Sequence, residues 1–207
     1  MTRSIVVITA GLSQPSSSRL LADRLAEATD RALRLHDERA DITVIELRDL
    51  AHEITDHLLT GFAPPRLAEA IEAVTNADGL IAVSPIFSAS YSGLFKSFFD
   101  VLDDGALDAK PGLIGATGGT ARHSLALEFA LRPLFAYLRA TVAPTAVFAA
   151  SEDFGTAGSG TSLSVRADRA GRELADLVLR RPRTAPADPF DNPTPFEQLL
   201  GNNPGTA

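Results

Sequence analysis

The sequence predicts an α/β protein: a doubly wound parallel sheet of five strands in the order 2-1-3-4-5, with helices on both faces. Three observations carry that expectation. Segments of strand character and segments of helical spacing alternate five times along the chain. Each strand-like run is short and apolar throughout, which suits a strand covered on both faces better than one with a wet side. The stretches of unusual composition follow strands 1, 3 and 4. In such a sheet a ligand sits there, beyond the carboxyl ends and where strands 1 and 3 diverge.

Strand 1 is Ser4–Thr9 (SIVVIT). Ser17–Leu35 follows as a helix, with Leu21, Leu25, Ala28, Ala32 and Leu35 at helical spacing behind serines able to cap it. Ile42–Leu47 is strand 2. Pro65–Ala77 reads as a helix, because a first-turn proline gives up an N–H that has no partner anyway. Gly79–Ser84 (GLIAVS) is strand 3, Ser92–Leu102 a helix and Gly112–Thr117 (GLIGAT) strand 4. Ser124–Ala140 is expected as one long amphipathic helix. Ala146–Ala149 is a short strand 5 after Pro144, Ser151–Thr161 a flexible, glycine-bearing loop, and Ser162–Arg181 the last helix. Six of the thirteen prolines fall in residues 182–207. Proline removes a donor and fixes φ, so this stretch is read as a tail outside a single body of residues 1–181. The tail's apolar patch, Phe196–Leu200, either docks on the body or a neighbouring subunit or belongs to a disordered segment.

With 207 residues and 45% hydrophobic content, the chain can bury a core unaided. It has no cysteine, which removes disulfides, thiolate metal sites and catalytic thiols. A formal net charge of −7, with no basic cluster beyond Arg180, Arg181 and Arg183, argues against nucleic acid as a partner. The run Ile5–Ala10 is far too short to span a bilayer and no leader pattern is present. The expectation is a cytoplasmic protein without a membrane partner.

Three loops carry the chemistry. Gly11–Arg19 (GLSQPSSSR) runs from strand 1 into a helix. Its hydroxyls, its backbone N–H groups at a helix N-terminus and one arginine suit a terminal phosphate; a plain helix cap with spare serines is the alternative. GxGxxG and GxxxxGK[ST] are both absent, which speaks against a dinucleotide fingerprint and a triphosphate loop. After strand 3, Ser84–Gly93 brings Pro85, Ile86 and Phe87 together as an apolar slot for a flat ring, or else as a turn covering the sheet edge. After strand 4, Thr117–His123 offers paired glycines that allow close backbone approach. Arg122 or His123 there can meet a second, anionic ligand, or His123 simply starts a helix. Elsewhere the signals are bland. His52 and His57 are five apart without a carboxylate partner, and His36 sits at a solvated helix end. Asp100, Asp103, Asp104 and Asp108 suit turns better than a metal. Lys96 and Asp100 are spaced to pair on a helix. There is no GxSxG serine elbow.

Pro85–Asp103 (PIFSASYSGLFKSFFDVLD) followed by Ala116–Ala140 (ATGGTARHSLALEFALRPLFAYLRA) resembles the NAD(P)H-dependent FMN reductases of the flavodoxin-like superfamily. It looks closest to the branch that feeds reduced flavin to two-component monooxygenases. The resemblance covers most of residues 4–180 and implies a flavodoxin-like fold. By it, Ser13, Ser16, Ser18 and Arg19 would hold the FMN phosphate. Pro85, Ile86, Phe87 and Ser88 would line the flavin ring. Thr117, Gly118, Gly119 and Thr120 would flank its other edge and the nicotinamide side, and His123 stands beside them as a further cofactor-binding candidate read from the loop itself. Many relatives have tyrosine where Phe87 stands and lysine where Ser88 stands; relatives with a sulfonate-linked function often have tyrosine where Phe129 stands. The resemblance also implies a homodimer or homotetramer, with Leu125–Tyr137 as a reasonable assembly surface.

The implied activity is hydride transfer from NAD(P)H to FMN, with reduced FMN supplied to a flavin-dependent monooxygenase. The cofactors carry that chemistry, which fits a sequence without an evident acid–base pair. One alternative is a quinone, azo or metal-ion reductase with prosthetic FMN. Another, of a different class, is a flavin-binding electron carrier or regulatory module. The absence of tryptophan and the presence of only two tyrosines speak against the carrier.

Overall fold

The computed structural model describes residues 2–154 and 163–181. The tail expected at 182–207, and the expected loop beyond residue 154, lie outside the described residues. The elements in order are β1 (Thr2–Thr9), α1 (Ser17–Arg34), β2 (Arg39–Glu46), α2 (Ala51–Thr60), α3 (Pro65–Asn76), β3 (Gly79–Phe87), β4 (Ser90–Tyr91), α4 (Gly93–Asp100), β5 (Pro111–Gly118), α5 (Arg132–Tyr137), β6 (Thr141–Val142), β7 (Val147–Ala150) and α6 (Leu163–Arg180).

The main sheet is parallel, ordered β2-β1-β3-β5-β6, and β7 also pairs with β5. β6 takes the amino end of β5 at Pro111 and Gly112, and β7 takes its carboxyl end from Gly115 to Gly118. Together they fill the fifth position, interrupted around Pro144, which has no N–H to give a ladder. The flavodoxin-like order 2-1-3-4-5 is therefore present with its last strand broken in two.

Both faces of the inner strands are dry, while the edge strand β2 is largely exposed. Ile5, Val7, Ile81, Val83 and Leu113 meet α1 and α6. Val6, Ile8, Leu80, Ala82 and Ile114 meet α2 to α5. On that second face Phe95, Phe99 and Phe135 form a ring cluster with centroids 4.8 and 5.0 Å apart. Fully burying one such side chain contributes about 1.5–3 kcal/mol. Among the described residues no helix is long and apolar enough to cross a membrane.

Three expectations need correction. β3 does not stop at Ser84 but continues through Pro85 to Phe87, then turns back into β4 through Ser88 and Ala89 at φ +49° and +68°. β1 pairs with β3 only as far as Val83, so at Pro85 one neighbour is already lost and an N–H is no longer needed there. Two positive φ values suit the tight primed turns of hairpins. Second, the single helix over Ser124–Ala140 is absent. A short 3₁₀ turn at Ala121–His123, a π-helical turn at Leu127–Leu131 and α5 replace it. Pro133 is the reason: it has no N–H and its ring crowds the carbonyl four residues back. The wider turn, in which the Arg132 N–H reaches the Leu127 carbonyl, makes room. Third, α2 and the 3₁₀ turn before it (Leu47–Leu50) were not anticipated. α2 buries only Ile54, too sparse a stripe to show as helical periodicity.

Two positions govern local stability. Lys110 is buried, and its ammonium donates to the carbonyls of Thr75 at 2.9 Å and Ala77 at 2.7 Å, closing the end of α3. Burial, and next the nearby Arg181, bring its pKa down to about 8, against an opposing pull from Asp78. In the unfolded chain the same group holds its proton to about 10.5. Between those values the unfolded state binds more protons, so stability rises with pH across that window. The melting-temperature advantage of the native protein over Lys110→Met is expected to grow from pH 7.5 to 9.5. Gly171, on α6, lies against α1: a Cβ there would stand 2.7 Å from the Ala28 carbonyl carbon and 2.8 Å from the Thr29 nitrogen. Gly171→Ala is expected to cost about 1–3 kcal/mol through this overpacking, seen as a lower urea midpoint.

Candidate active site

The site begins with the way α1 starts. Ser16 has extended backbone (φ −111°, ψ 122°), and its Oγ accepts the Arg19 N–H at 3.2 Å, so it caps the helix. The first turn contains no acidic residue. The amides of Ser17 and Ser18 have no intrahelical acceptor and face out of the helix end, where the helix dipole favours an anion. Gly11 makes this turn possible, because a Cβ on it would lie 1.9 Å from Ser16 Oγ. Ser18 is buried and its Oγ hydrogen-bonds Thr117 Oγ1 at 2.8 Å, joining the start of α1 to the end of β5.

Four chain segments enclose a cleft of about 380 Å³ beyond the carboxyl ends of the strands. Ser13, Ser16, Ser17 and Ser18 form one side, with Gly11 and Leu12. Pro85, Ile86 and Phe87 form a second wall, held in place by Ser84: its buried Oγ accepts the Ser92 N–H at 2.9 Å, returning the hairpin to α4. Thr117, Gly118 and Gly119 form the third. A Cβ on Gly119 would meet nothing within 4 Å, so backbone is presented there without a side chain in front of it. The fourth wall, Ala149, Ser151 and Phe154, was missed in the sequence.

That fourth wall is a 3₁₀ turn, Ser151–Phe154, directly after β7. Asp153 secures it by accepting the Ala150 N–H at 2.8 Å and pairing with Arg166 at 2.7 Å. Arg166 also donates to the Phe148 carbonyl. Phe154 carries the Arg24 guanidinium over its ring at 5.4 Å. The positional rule that marked the ends of strands 1, 3 and 4 applies equally to this strand end. The glycines that follow hid it by making the whole stretch look like linker.

Of the residues singled out in the sequence, Ser13, Ser16, Ser18, Pro85, Ile86, Phe87, Thr117, Gly118 and Gly119 come together around the cleft. Four do not line it. Arg19 turns aside to Asp23 at 2.8 Å and Glu46 at 2.7 Å, and the hydrogen bond it donates to Asp23 raises its pKa further. Ser88 is exposed on the left-handed hairpin turn. Thr120 caps the next turn, its Oγ accepting the Arg122 N–H at 3.2 Å. His123 is exposed on that turn, just beyond the lining.

None of the lining side chains is ionisable. The arrangement offers hydroxyls and amides at one end, an apolar wall along the middle and bare backbone opposite. This fits a phosphate tethered to a planar ring, and the volume lies in the range of small-molecule sites. A larger hollow of about 410 Å³, among Phe99–Asp108 and Arg139, lies before the amino end of β5, at the other end of the sheet. Among the described residues no group of three histidine or carboxylate side chains is arranged to hold a metal ion.

A family model described as NADPH-dependent FMN reductase matches residues 3–155. An FMN reductase (NADPH) of Pseudomonas aeruginosa is 37% identical over 150 residues, covering 72% of this chain and 78% of that protein. The X-ray structure of an oxidoreductase from Corynebacterium diphtheriae superposes with a TM-score of 0.84 at 45% identity, covering 87% of this chain and 99% of the other. A solved NADH:FMN oxidoreductase superposes with a TM-score of 0.67 at 30% identity, covering 94% and 98%.

The Ser18–Thr117 bond yields a test of the site's construction. Thr117→Val leaves the buried Ser18 hydroxyl unpaired and is expected to cost about 1–3 kcal/mol in urea unfolding. Adding Ser18→Ala should recover part of that loss, giving a coupling energy of roughly 0.5–1.5 kcal/mol in the double-mutant cycle.

Proposed function

The chain belongs to the NADPH-dependent FMN reductase family, and from that premise we propose how its cleft serves the reduction of FMN by NAD(P)H and where the reduced flavin goes. The observation that carries the reading is a serine-built anion cradle continuous with an apolar wall and free of ionisable side chains. Ser13, Ser16 and Ser18, with the amides of Ser17 and Ser18, hold the flavin phosphate through neutral dipoles. Pro85, Ile86 and Phe87 support the ring. The backbone of Thr117–Gly119 meets its polar edge, and Phe154 closes the far side. Arg19 contributes its place in the helix cap and its bond to Glu46 rather than a direct phosphate contact.

Flavin and nicotinamide together supply the hydride chemistry when bound. The protein's own part is to align two flat rings and keep water from between them. Phe87 remains half-exposed, at 48% of its free surface, so the ring wall opens to the outside. That opening suits FMN as a substrate that leaves once reduced, to be used by a flavin-dependent monooxygenase in the cytoplasm. Leu125 just before the π-turn, Phe129 within it and Tyr137 at the end of α5 are exposed, and they supply the assembly surface of a homodimer or homotetramer.

Steady-state oxidation of NADH and NADPH, with free FMN, FAD and a quinone compared side by side, tests this reading. FMN is expected to be the preferred acceptor, and gel filtration should separate the flavin from the protein. Yellow colour that survives dialysis, with ping-pong kinetics toward quinone, would instead make FMN prosthetic. Binding of FMN without faster NAD(P)H oxidation would sink the reductase reading. Phe87→Ala removes an aromatic wall worth about 0.5–1.5 kcal/mol beyond its buried area and is expected to weaken FMN binding about tenfold, read by flavin fluorescence quenching.

A further inference from the structure

The loops that frame the cleft carry cations of two kinds. On the side of the serine turn the arginines are neutralised. Arg19 is paired with Asp23 and Glu46, and Arg48 lies 3.4 Å from both Glu46 and Asp49. Arg166, behind the Ser151–Phe154 turn, is held by Asp153. Arg122 and His123, on the turn that follows Gly118 and Gly119, have no carboxylate partner among the described residues. Glu128, the next acidic residue along the chain, gives both its oxygens to Arg132.

This turn is a fixed part of the rim. Thr120 Oγ accepts the Arg122 N–H, and the Ser124 N–H reaches the Ala121 carbonyl at 3.1 Å. It stands against β7: a Cβ on Gly118 would lie 3.0 Å from the Phe148 ring and 3.8 Å from His123 Cβ. Arg122 is exposed on this turn, three residues along the chain from the bare backbone of Gly119. In a chain of net charge −7, an uncompensated cation held at a cleft rim makes a local site for an anion.

We propose that Arg122 recognises the ribose 2′-phosphate of NADPH, so that this chain prefers the phosphorylated pyridine nucleotide. The proposal rests on the reductase reading above. On that reading the serine turn takes the FMN phosphate, so an anion at this rim belongs to the second substrate. A dinucleotide whose nicotinamide stacks on the flavin ring must run its ribose–phosphate chain out across the rim. A phosphomonoester carries nearly two negative charges and accepts a guanidinium in bidentate fashion, whereas a ribose 2′-hydroxyl calls for an acceptor such as a carboxylate.

The test uses the full chain, Arg122→Ala and Arg122→Lys. Calorimetric titration with 2′,5′-ADP and with ADP reads the phosphate contact without turnover. Steady-state kcat/KM for NADPH and NADH reads selectivity. The native protein is expected to bind 2′,5′-ADP at least tenfold tighter than ADP, with a similar preference for NADPH. Arg122→Ala should close the affinity gap and lower the selectivity ratio about tenfold or more through KM for NADPH, and Arg122→Lys should restore part of both. Equal affinities in the native protein would overturn the proposal. So would an equal loss for both probes in Arg122→Ala, which would place Arg122 on the pyrophosphate or show that the turn had collapsed. Failure of the reductase reading is separately visible, as an absence of FMN-dependent oxidation of either nucleotide by the native protein.

Discussion

Ser18 and Thr117 are 99 residues apart, and their 2.8 Å hydrogen bond brings the start of α1 and the end of β5 together. Much of the cleft depends on that junction. Both groups are buried, so each needs the other: a hydroxyl shut away from water without a partner costs more than the bond itself contributes. The bond fixes the separation of the serine turn and the Thr117–Gly119 backbone, between which the pocket opens. Gly11 serves the same junction from the other side. Only a residue without Cβ lets the chain leave β1 and come close enough for Ser16 to cap α1. The anion cradle therefore follows from a close-packed contact between the sheet and a helix N-terminus.

The electrostatics follow a similar economy. The cleft lining holds no charge, and what it offers an anion is hydroxyls and the amides of a helix end. Arg19 and Arg166 go to carboxylates instead: Arg19 ties α1 to the end of β2 through Glu46, and Arg166 holds the turn after β7 through Asp153. Partly exposed pairs of this kind contribute little to global stability, and their value here is in position. Arg122, left without such a partner, differs from them, and that difference is what points to the second substrate.

Most of the fold was legible. Four of the five apolar runs were found because strands buried on both faces show uniform hydrophobicity, the exception being the largely exposed edge strand β2, and α1, α3 and α6 because they bury a continuous stripe. What was illegible had identifiable physical causes. α2 buries a single side chain and leaves almost no periodic trace. The stretch Ser124–Ala140 is amphipathic enough to pass for one helix, yet Pro133 sits inside it, and the cost of that proline is met by a π-turn that pattern alone does not reveal. Pro85 gave the opposite error. It looked like a strand end, but β3 has lost one neighbour at that point and the missing N–H does not matter.

The sequence by itself determined the composition of the site: serines before a helix, an apolar trio after strand 3 and a glycine pair after strand 4. These are local consequences of which residues can cap, pack or yield room to a ligand. It also determined that any redox chemistry must run through a bound group, since there is no cysteine. Only the tertiary structure decided which side chains actually face the cleft. Arg19 turned to Asp23, one turn further along its own helix, and to Glu46 at the end of β2, and this pair of carboxylates outcompetes solvent for the guanidinium. Phe154 entered the cleft because Asp153 and Arg166, thirteen residues apart, pin the turn that carries it. Where a partner lies on another element, as Glu46 does for Arg19 and Arg166 for Asp153, spacing along one sequence does not contain it.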